Sequence, residues 1–508
     1  ELETDKERVA FINALLDNFK DYLIKKKPIT INLKMGEGIN DYKALPDNIP
    51  DFNNLFLDIN GNNAKMKNGN YFQRRINGLT SHYNSPSVEL MPSIIEHDNK
   101  KTSYPEINNM KIEEIEMSDY QFMQYIKQRK VEKDEIGKNN GQNIHEKSNS
   151  TYRVYSRMFC NFVFPENILK LNKNERRPRP KDQKNKDMIS FIEKTYSVKE
   201  TRLLNRGIHT KDIEDHKKML KEMINALQVN KDNIGDDGNR TSMDYLDDKN
   251  LKTYSPKFLK VYKNILRKDN DGGNLLYSSF RNGEGIEIFS RGLETRKFTI
   301  FEIEKEKPIS GKRGNRSNWR LSENTKKKLE NICDDNNGLT LEMNPFYIIY
   351  SGKESEEKKE LLRLIYNGDW DKIQSNAINI KEFLNSNFSK YKNKDNVDFY
   401  GKFIKIFMIT SSGAEGISLK NTRYVHILEP FWGPVRIEQV IGRARRICSH
   451  DGLVKEKQNV SVHMYLMKLS DKQKNWGKGS QDKGKENQDI EDIIRKDKEK
   501  TSDESMWD

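Results

Sequence analysis

Cysteine is scarce: Cys160, Cys333 and Cys448 are the three thiols in 508 residues, and they lie far apart. That spacing excludes a disulfide framework and a thiol-built metal site, and a reduced compartment is expected. Long apolar runs are missing as well. No stretch approaches the roughly 18 consecutive apolar residues a membrane-spanning helix needs. Only 34% of the chain is hydrophobic, against 33% charged. Part of the length is therefore expected in solvated insertions whose burial cannot offset ordering entropy. The length itself suggests two or three domains.

Positive charge is present in excess, at a net +13. Two readings stand side by side. A basic chain favours a polyanionic partner, most commonly nucleic acid. Equally, Lys and Asn are abundant everywhere, as compositional drift would produce. The polar segments Asp134–Ser150, Asn174–Asp187, Val229–Ser242 and Ser310–Asn318, and the tail from about Ser470, read as solvated loops. Of these, "NERRPRP" within Asn174–Asp187 is the one suited to clamping phosphates.

Ordered blocks lie between them. "MSDYQFMQYIKQRKVEKDE" places Tyr120, Met123, Ile126 and Lys127 at helical spacing behind Ser118, an expected N-cap. Further on, apolar strands alternate with amphipathic helices: "NLLYSSF", "GEGIEIFSRGLE", "FYIIYSG", "SEEKKELLRLIYN", "IKIFMIT", "YVHILEP", a helix from Pro434, and "VSVHMYLMKL". Such alternation predicts an α/β fold, a parallel sheet covered on both faces, over residues 251–469.

The segment "EPFWGPVRIEQVIGRARRICSH" concentrates the chemistry. On a continuous helix, Ile437, Val440, Ile441, Ala444 and Cys448 make a core stripe. Arg436, Gln439, Arg443 and Arg446 share the opposite face, and Arg445 falls between as a structural or phosphate-backbone contact. Gly442 costs about 1 kcal/mol inside a helix, which suggests close approach of a ligand or another backbone. Cys448 reads as a core thiol, His450 as a helix-end histidine and His426 as a satisfied strand histidine. Phe431 and Trp432 read as packing residues, and Trp370 is left unassigned.

"QVIGRARR" resembles the Q-x-x-G-R-x-x-R motif VI of superfamily 2 helicases, and "ITSSGAEGISLKN" resembles their motif V. "NLLYSSF" resembles motif IV, and "YIIYSGKESEEKKELLRLIYN" the strand and helix after it. "LEPFW" and "RxCSH" are similar to a branch found in large DNA viruses, which includes a poxvirus early-transcription-factor subunit. "YFQRRINGLTSHYNS", "YRVYSRMFCNFVFP" and "LKTYSPKFLKVYKNIL" also look like that branch, so the likeness covers most of 71–469. It implies a second RecA-like domain, parallel sheet with flanking helices, preceded by a mostly helical insertion. The expected limits are a poorly matched segment 1–70, a linker and insertion region 71–250, the RecA-like domain 251–469 and a charged flexible tail 470–508.

The resemblance further implies that Arg443 and Arg446 reach across a cleft to ATP phosphates, where a bidentate cation stabilises spreading charge. Gln439, Gly442, Glu415 and Gly416 would serve the nucleotide. Ser278, Ser279, Gly352, Lys353, Ser411 and Ser412 would serve nucleic acid, DNA ahead of RNA. Other implied partners are a first RecA-like domain in the same or another chain, and a transcription-factor large subunit or RNA polymerase, acting in virions or host cytoplasm. ATP and Mg²⁺ are implied, yet the 508 residues hold neither a G-x-x-x-x-G-K-[ST] phosphate loop nor a D-E-x-[HD] motif. With Glu1 in place of an initiator Met, the chain is expected to be the C-terminal half of such an enzyme and inactive alone. A non-catalytic nucleic-acid-binding transcription-factor subunit is the alternative.

Overall fold

The computed structural model describes residues 45–46, 48–60, 63–77, 91–95, 110–138, 153–169, 218, 221–227, 245–306, 318–333, 345–352, 354–388, 401–411, 416–431, 433–476 and 485–507. The chain divides into two units, Glu1–Pro86 and Ser87–Asp508. In the first, α1 (Ile49–Phe56) leads into the antiparallel pair β1 (Leu57–Asn60) and β2 (Asn63–Met66), followed by α2 (Gly69–Ile76). Phe56 is its buried centre, flanked by the rings of Phe52, Tyr71 and Phe72.

The second unit opens with β3 (Ser93–Ile94), β4 (Met110–Glu116), α3 (Asp119–Lys138), α4 (Val154–Asn161) and α5 (Glu166–Leu169), then α6 (Asp248–Tyr254) and α7 (Pro256–Ile265). Next come β5 (Gly273–Tyr277), α8 (Ile286–Thr295), β6 (Thr299–Ile300), the hairpin strands β7 (Ile303–Lys305) and β8 (Trp319–Leu321), and α9 (Glu323–Cys333). The chain continues through β9 (Phe346–Tyr350), α10 (Glu356–Tyr366), α11 (Ile378–Phe388), β10 (Ile404–Ile409), β11 (Thr422–Ile427) and α12 (Pro434–Ala444). It ends with β12 (Asn459–Lys468), α13 (Asp471–Lys474), α14 (Lys485–Lys496) and α15 (Ser502–Trp507).

The strand order is β6–β9–β10–β5–β11–β12, with β3 and β4 both lying along the outer side of β12, and every pairing is parallel. Side chains alternate across the pleat. Leu275 and Tyr277 join Phe407, Val425 and Ile427 in a core beneath α10, α11 and α12. Leu276 joins Ile406, Met408 and Tyr465 in a second core beneath α7 and α8. Each fully buried aliphatic or aromatic side chain contributes about 1.5–3 kcal/mol, so a sheet apolar on both faces is held from both sides. This is the covered parallel sheet expected from the apolar runs.

The structure differs from the sequence reading in three places. Strand β4 lies in the region read as helical insertion, and its seven residues pair with β12 from Val462 to Lys468. The tail read as flexible folds instead: Ile490, Ile493, Ile494 of α14 and Met506 of α15 are buried. Their carboxylates find buried cations, with Asp497 on Arg129 at 2.9 Å and Asp503 on Lys257 at 2.5 Å. Finally, α12 stops at Ala444, short of Cys448. The Arg443 carbonyl accepts a hydrogen bond from the Leu419 amide, and Ser449 Oγ donates to the Ala444 carbonyl. Tertiary partners thus take carbonyls that further helix would need. Cys448 then adopts a left-handed φ of 58° with an exposed thiol, so it is not a core residue.

Candidate nucleotide and nucleic-acid sites

Register gathers the candidate loops. Tyr277 stands opposite both Ile409 and Ile427, and Ile409 stands opposite Tyr350. The residues leaving these strands, Ser278, Ser351, Thr410 and Leu428, therefore line one rim at the strands' C-terminal ends, where open α/β sheets bind ligands. Ser279, Gly352 and Ser411 follow directly. Lys353, Ser412, Glu415, Trp432 and the "NERRPRP" segment lie outside the described residues.

At this rim the two serines turn inward. Ser278 is fully buried, and its hydroxyl donates to Glu429 Oε1 at 2.7 Å. The Ser279 amide donates to Glu429 Oε2 at 2.8 Å, and the Ser279 hydroxyl is itself buried. For Ser278 the expected outward contact is thus corrected, while Ser279 is half-buried and gives Glu429 its amide: a buried carboxylate needs donors, and these two residues supply them. Glu429 comes from the "LEPFW" turn after β11. Burial pushes its carboxyl above the ordinary range, opposed by Lys257 and by its hydrogen bonds. A fourth element joins from the insertion: Asn161 at the end of α4 donates to Glu429 Oε1 at 2.5 Å, and Lys257 Nζ reaches Asn161 Oδ1 at 3.2 Å. The signal available in the sequence was an acid at the end of an apolar strand.

The motif VI residues sit at the other end of α12. Gly433 caps this helix and Pro434 takes its first turn, as expected. Ile437, Val440 and Ala444 are buried, and Ile441 packs against the same core. At the far end, Arg443 Nη1 donates to the Ile417 carbonyl at 3.4 Å. The Asn421 amide donates to the Ser449 carbonyl, and His450 Nε2 lies 3.0 Å from the Thr422 carbonyl. Motifs V and VI are thereby joined beside the start of β11. Because Arg446 lies past the helix end, it does not stand one helical turn from Arg443. Its Nε instead folds back on the Gly442 carbonyl at 3.4 Å.

Gln439 is exposed, and a Cβ on Gly442 would meet nothing within 4 Å, so no close approach from the described residues explains this glycine. Gly416 has a left-handed φ of 74°, which a side chain would strain. Arg445 is structural, donating to the Pro92 carbonyl at 3.0 Å. Arg436 lies over the Phe431 ring at 3.7 Å.

Of the described histidines, His450 and His426 belong to the fold. His450 is buried against Ser449 and Thr422, and burial pulls its pKa down to about 4. His426 bridges Tyr465 and Asn274 at 2.8 and 2.9 Å, the satisfied strand histidine expected. Trp370 is core, its indole donating to the Ile365 carbonyl. Among the described residues, no group of three His, Cys, Asp or Glu side chains could hold a metal ion, so none is assigned to Mg²⁺. Nor is any described helix long and apolar enough to cross a membrane.

Residues 382–448, which carry both motif V and motif VI, match the helicase conserved C-terminal domain. The chain is similar to helicases and nucleoside triphosphatases of large DNA viruses. A putative ATP-dependent RNA helicase of Acanthamoeba polyphaga mimivirus, R350, is 27% identical over 428 residues, covering 78% of this chain and 41% of that protein. A second from the same virus, R563, is 29% identical over 216 residues, 42% of this chain and 26% of the relative. The termination factor NPH-I homolog of African swine fever virus is 26% identical over 219 residues, again 42% and 26%. The chain thus spans between a quarter and two-fifths of the length of these relatives. Among solved structures, the C-terminal part of the Fun30 ATPase domain aligns over 80% of this chain and 99% of its own at 14% identity, with a TM-score of 0.35. The RecA-like assignment rests on the parallel sheet order and the matched domain.

Proposed function

We propose that this chain is the C-terminal half of an ATP-dependent nucleic-acid helicase or translocase of viral type. The observation carrying this reading is the tie between motifs V and VI, Leu419 amide to Arg443 carbonyl and Arg443 guanidinium to Ile417 carbonyl. That tie holds Arg443 beside Gly416 while Gln439 and Gly442 face open space. In this reading Arg443 and Arg446 are arginine fingers for a nucleotide held mainly by residues outside this chain, together with Mg²⁺. Gln439 and Gly442 border the nucleotide, and Glu415 and Gly416 couple the motif V loop to it. Gly352, Lys353, Ser411 and Ser412 contact nucleic acid at the rim, with DNA favoured over RNA. A part in early viral transcription, beside a transcription-factor subunit or RNA polymerase, belongs to the same reading, and the African swine fever virus relatives named termination factor NPH-I homolog support a transcriptional role.

Phosphoryl transfer spreads negative charge over the γ-oxygens, and a cation brought in from a second domain ties hydrolysis to cleft closure. In the full-length protein, Arg446→Ala should lower nucleic-acid-stimulated ATP hydrolysis on the order of a thousandfold. An unchanged rate would remove the finger assignment. The alternative is a non-catalytic nucleic-acid-binding subunit. Full-length protein that binds nucleic acid yet never hydrolyses ATP would establish it.

A further inference from the structure

The turn after β5 is held more tightly than a surface loop requires. Glu429 accepts from Ser278 Oγ and the Ser279 amide beneath it. On another side, the guanidinium of Arg157 in α4 lies 5.3 Å from the centre of the Phe280 ring, with Arg157 fully buried. The turn then folds back on itself, the Ile286 amide donating to the Phe280 carbonyl at 2.9 Å. A Cβ on Gly285 would stand 1.9 Å from that carbonyl oxygen, so the bend admits no side chain there. The next residue, Arg281, is half-buried and reaches across the rim, its Nε donating to Ser351 Oγ at 3.2 Å. Ser351 is fixed in turn by Glu354, which accepts from both its amide and its hydroxyl.

We infer that Arg281 grips a phosphodiester of the bound strand, and that Glu429, clasped by Asn161 of the insertion, is the positioning residue that holds Arg281 there. The inference rests on the reading that nucleic acid crosses this rim. Its chemistry is direct. One guanidinium nitrogen is committed to Ser351 Oγ, which fixes the plane of the fork, and a planar fork suits phosphate oxygens. A buried carboxylate taking donors from α4 and from the turn itself fixes a backbone position that the turn alone would not. The insertion helix α4 supplies both Asn161 and Arg157, so it acts on the rim without reaching it.

The test is binding of the 508-residue chain to a fluorescent 20-mer of thymidylate and, in parallel, of uridylate, across a salt series. Arg281→Ala should weaken both about tenfold and lower the slope of log affinity against log salt by about one. Glu429→Gln should weaken binding to a similar degree, and the double variant should bind no worse than Glu429→Gln alone. If Glu429→Gln does not fold, Asn161→Ala takes its place and should cause a smaller loss in the same direction. Wild-type affinity and slope in Arg281→Ala would overturn the grip. Losses that add in the double variant would overturn the positioning role. No binding of either oligonucleotide by the wild-type chain would overturn the rim reading and the inference with it, a result distinct from binding that ignores Arg281.

Discussion

Where the strands end, at the rim, the Ser278 hydroxyl and the Ser279 amide point inward to Glu429. Along α12 and just past it, Gln439 is exposed and the Arg446 side chain folds back on the Gly442 carbonyl at 3.4 Å. Both regions carry helicase-like motifs, yet at one Glu429 takes three internal donors while at the other Gln439 faces solvent. A motif residue can thus serve the scaffold or the ligand, and its hydrogen-bond partners tell which. The contrast also separates the two sources of polar residues. The rim is fixed by groups from the insertion and the C-terminal helices, whereas the motif VI end is fixed by its own neighbours in the sheet.

The comparison breaks first if the buried ion pair behind the rim is expendable. Asp503→Ala leaves the fully buried Lys257 without its carboxylate and should cost about 3–5 kcal/mol, read by urea denaturation. A loss near zero would show that the C-terminal helices do not support the rim. Next is the pH response of the motif VI end. His450 titrates at about 4 in the folded chain against 6.5 ordinarily. The unfolded chain therefore takes up the proton first. Stability from this group is complete above pH 6.5 and is lost as pH falls towards 4, by about 3 kcal/mol. Chemical denaturation from pH 7 to 4.5 should show this fall, and His450→Asn should make it shallower, the buried His426 still contributing in the same direction.

Ser278→Ala removes a hydrogen bond to a buried carboxylate and should cost about 2 kcal/mol of stability. Loss of nucleic-acid binding at unchanged stability would instead return Ser278 to the surface. The smallest effect is expected at the open end. Gln439→Ala should alter stability by no more than about 0.5 kcal/mol while lowering ATP hydrolysis in the full-length protein. Destabilisation as large as that of Ser278→Ala would erase the difference between the two regions.

Much of the sheet was legible because its strands are short, nearly continuous apolar runs: β5, β9, β10, β11 and β12 all fall where those runs lie. Ser118 was equally readable, its hydroxyl accepting from the Gln121 amide at the start of α3. Strand β4, "MKIEEIE", was hidden because three of its seven residues are glutamates, tolerated where an edge strand meets water and Lys111 and Lys260. The C-terminal helices were hidden because their acids read as solvated until Arg129 and Lys257, hundreds of residues earlier, are placed against them. The same limit applies at the candidate sites. Q-x-x-G-R-x-x-R located Arg443 and Arg446, but helical periodicity could not foresee that Leu419 would end α12. Glu429 and Arg281 belong to no spacing pattern, and their partnerships appear once β5, β9 and β11 lie side by side.

The pairing of β4 with β12 has a consequence in time. Val462 and Met110 are partners in the ladder although about 350 residues separate them. During synthesis, β4 emerges with its partner strand still unmade, and its backbone groups stay exposed until nearly the whole unit has been translated. Contacts of such sequence separation fold slowly and leave an open strand edge prone to mispairing. Recovery of folded protein should therefore depend on growth temperature and on chaperones more strongly than the thermodynamic stability of the finished sheet would suggest.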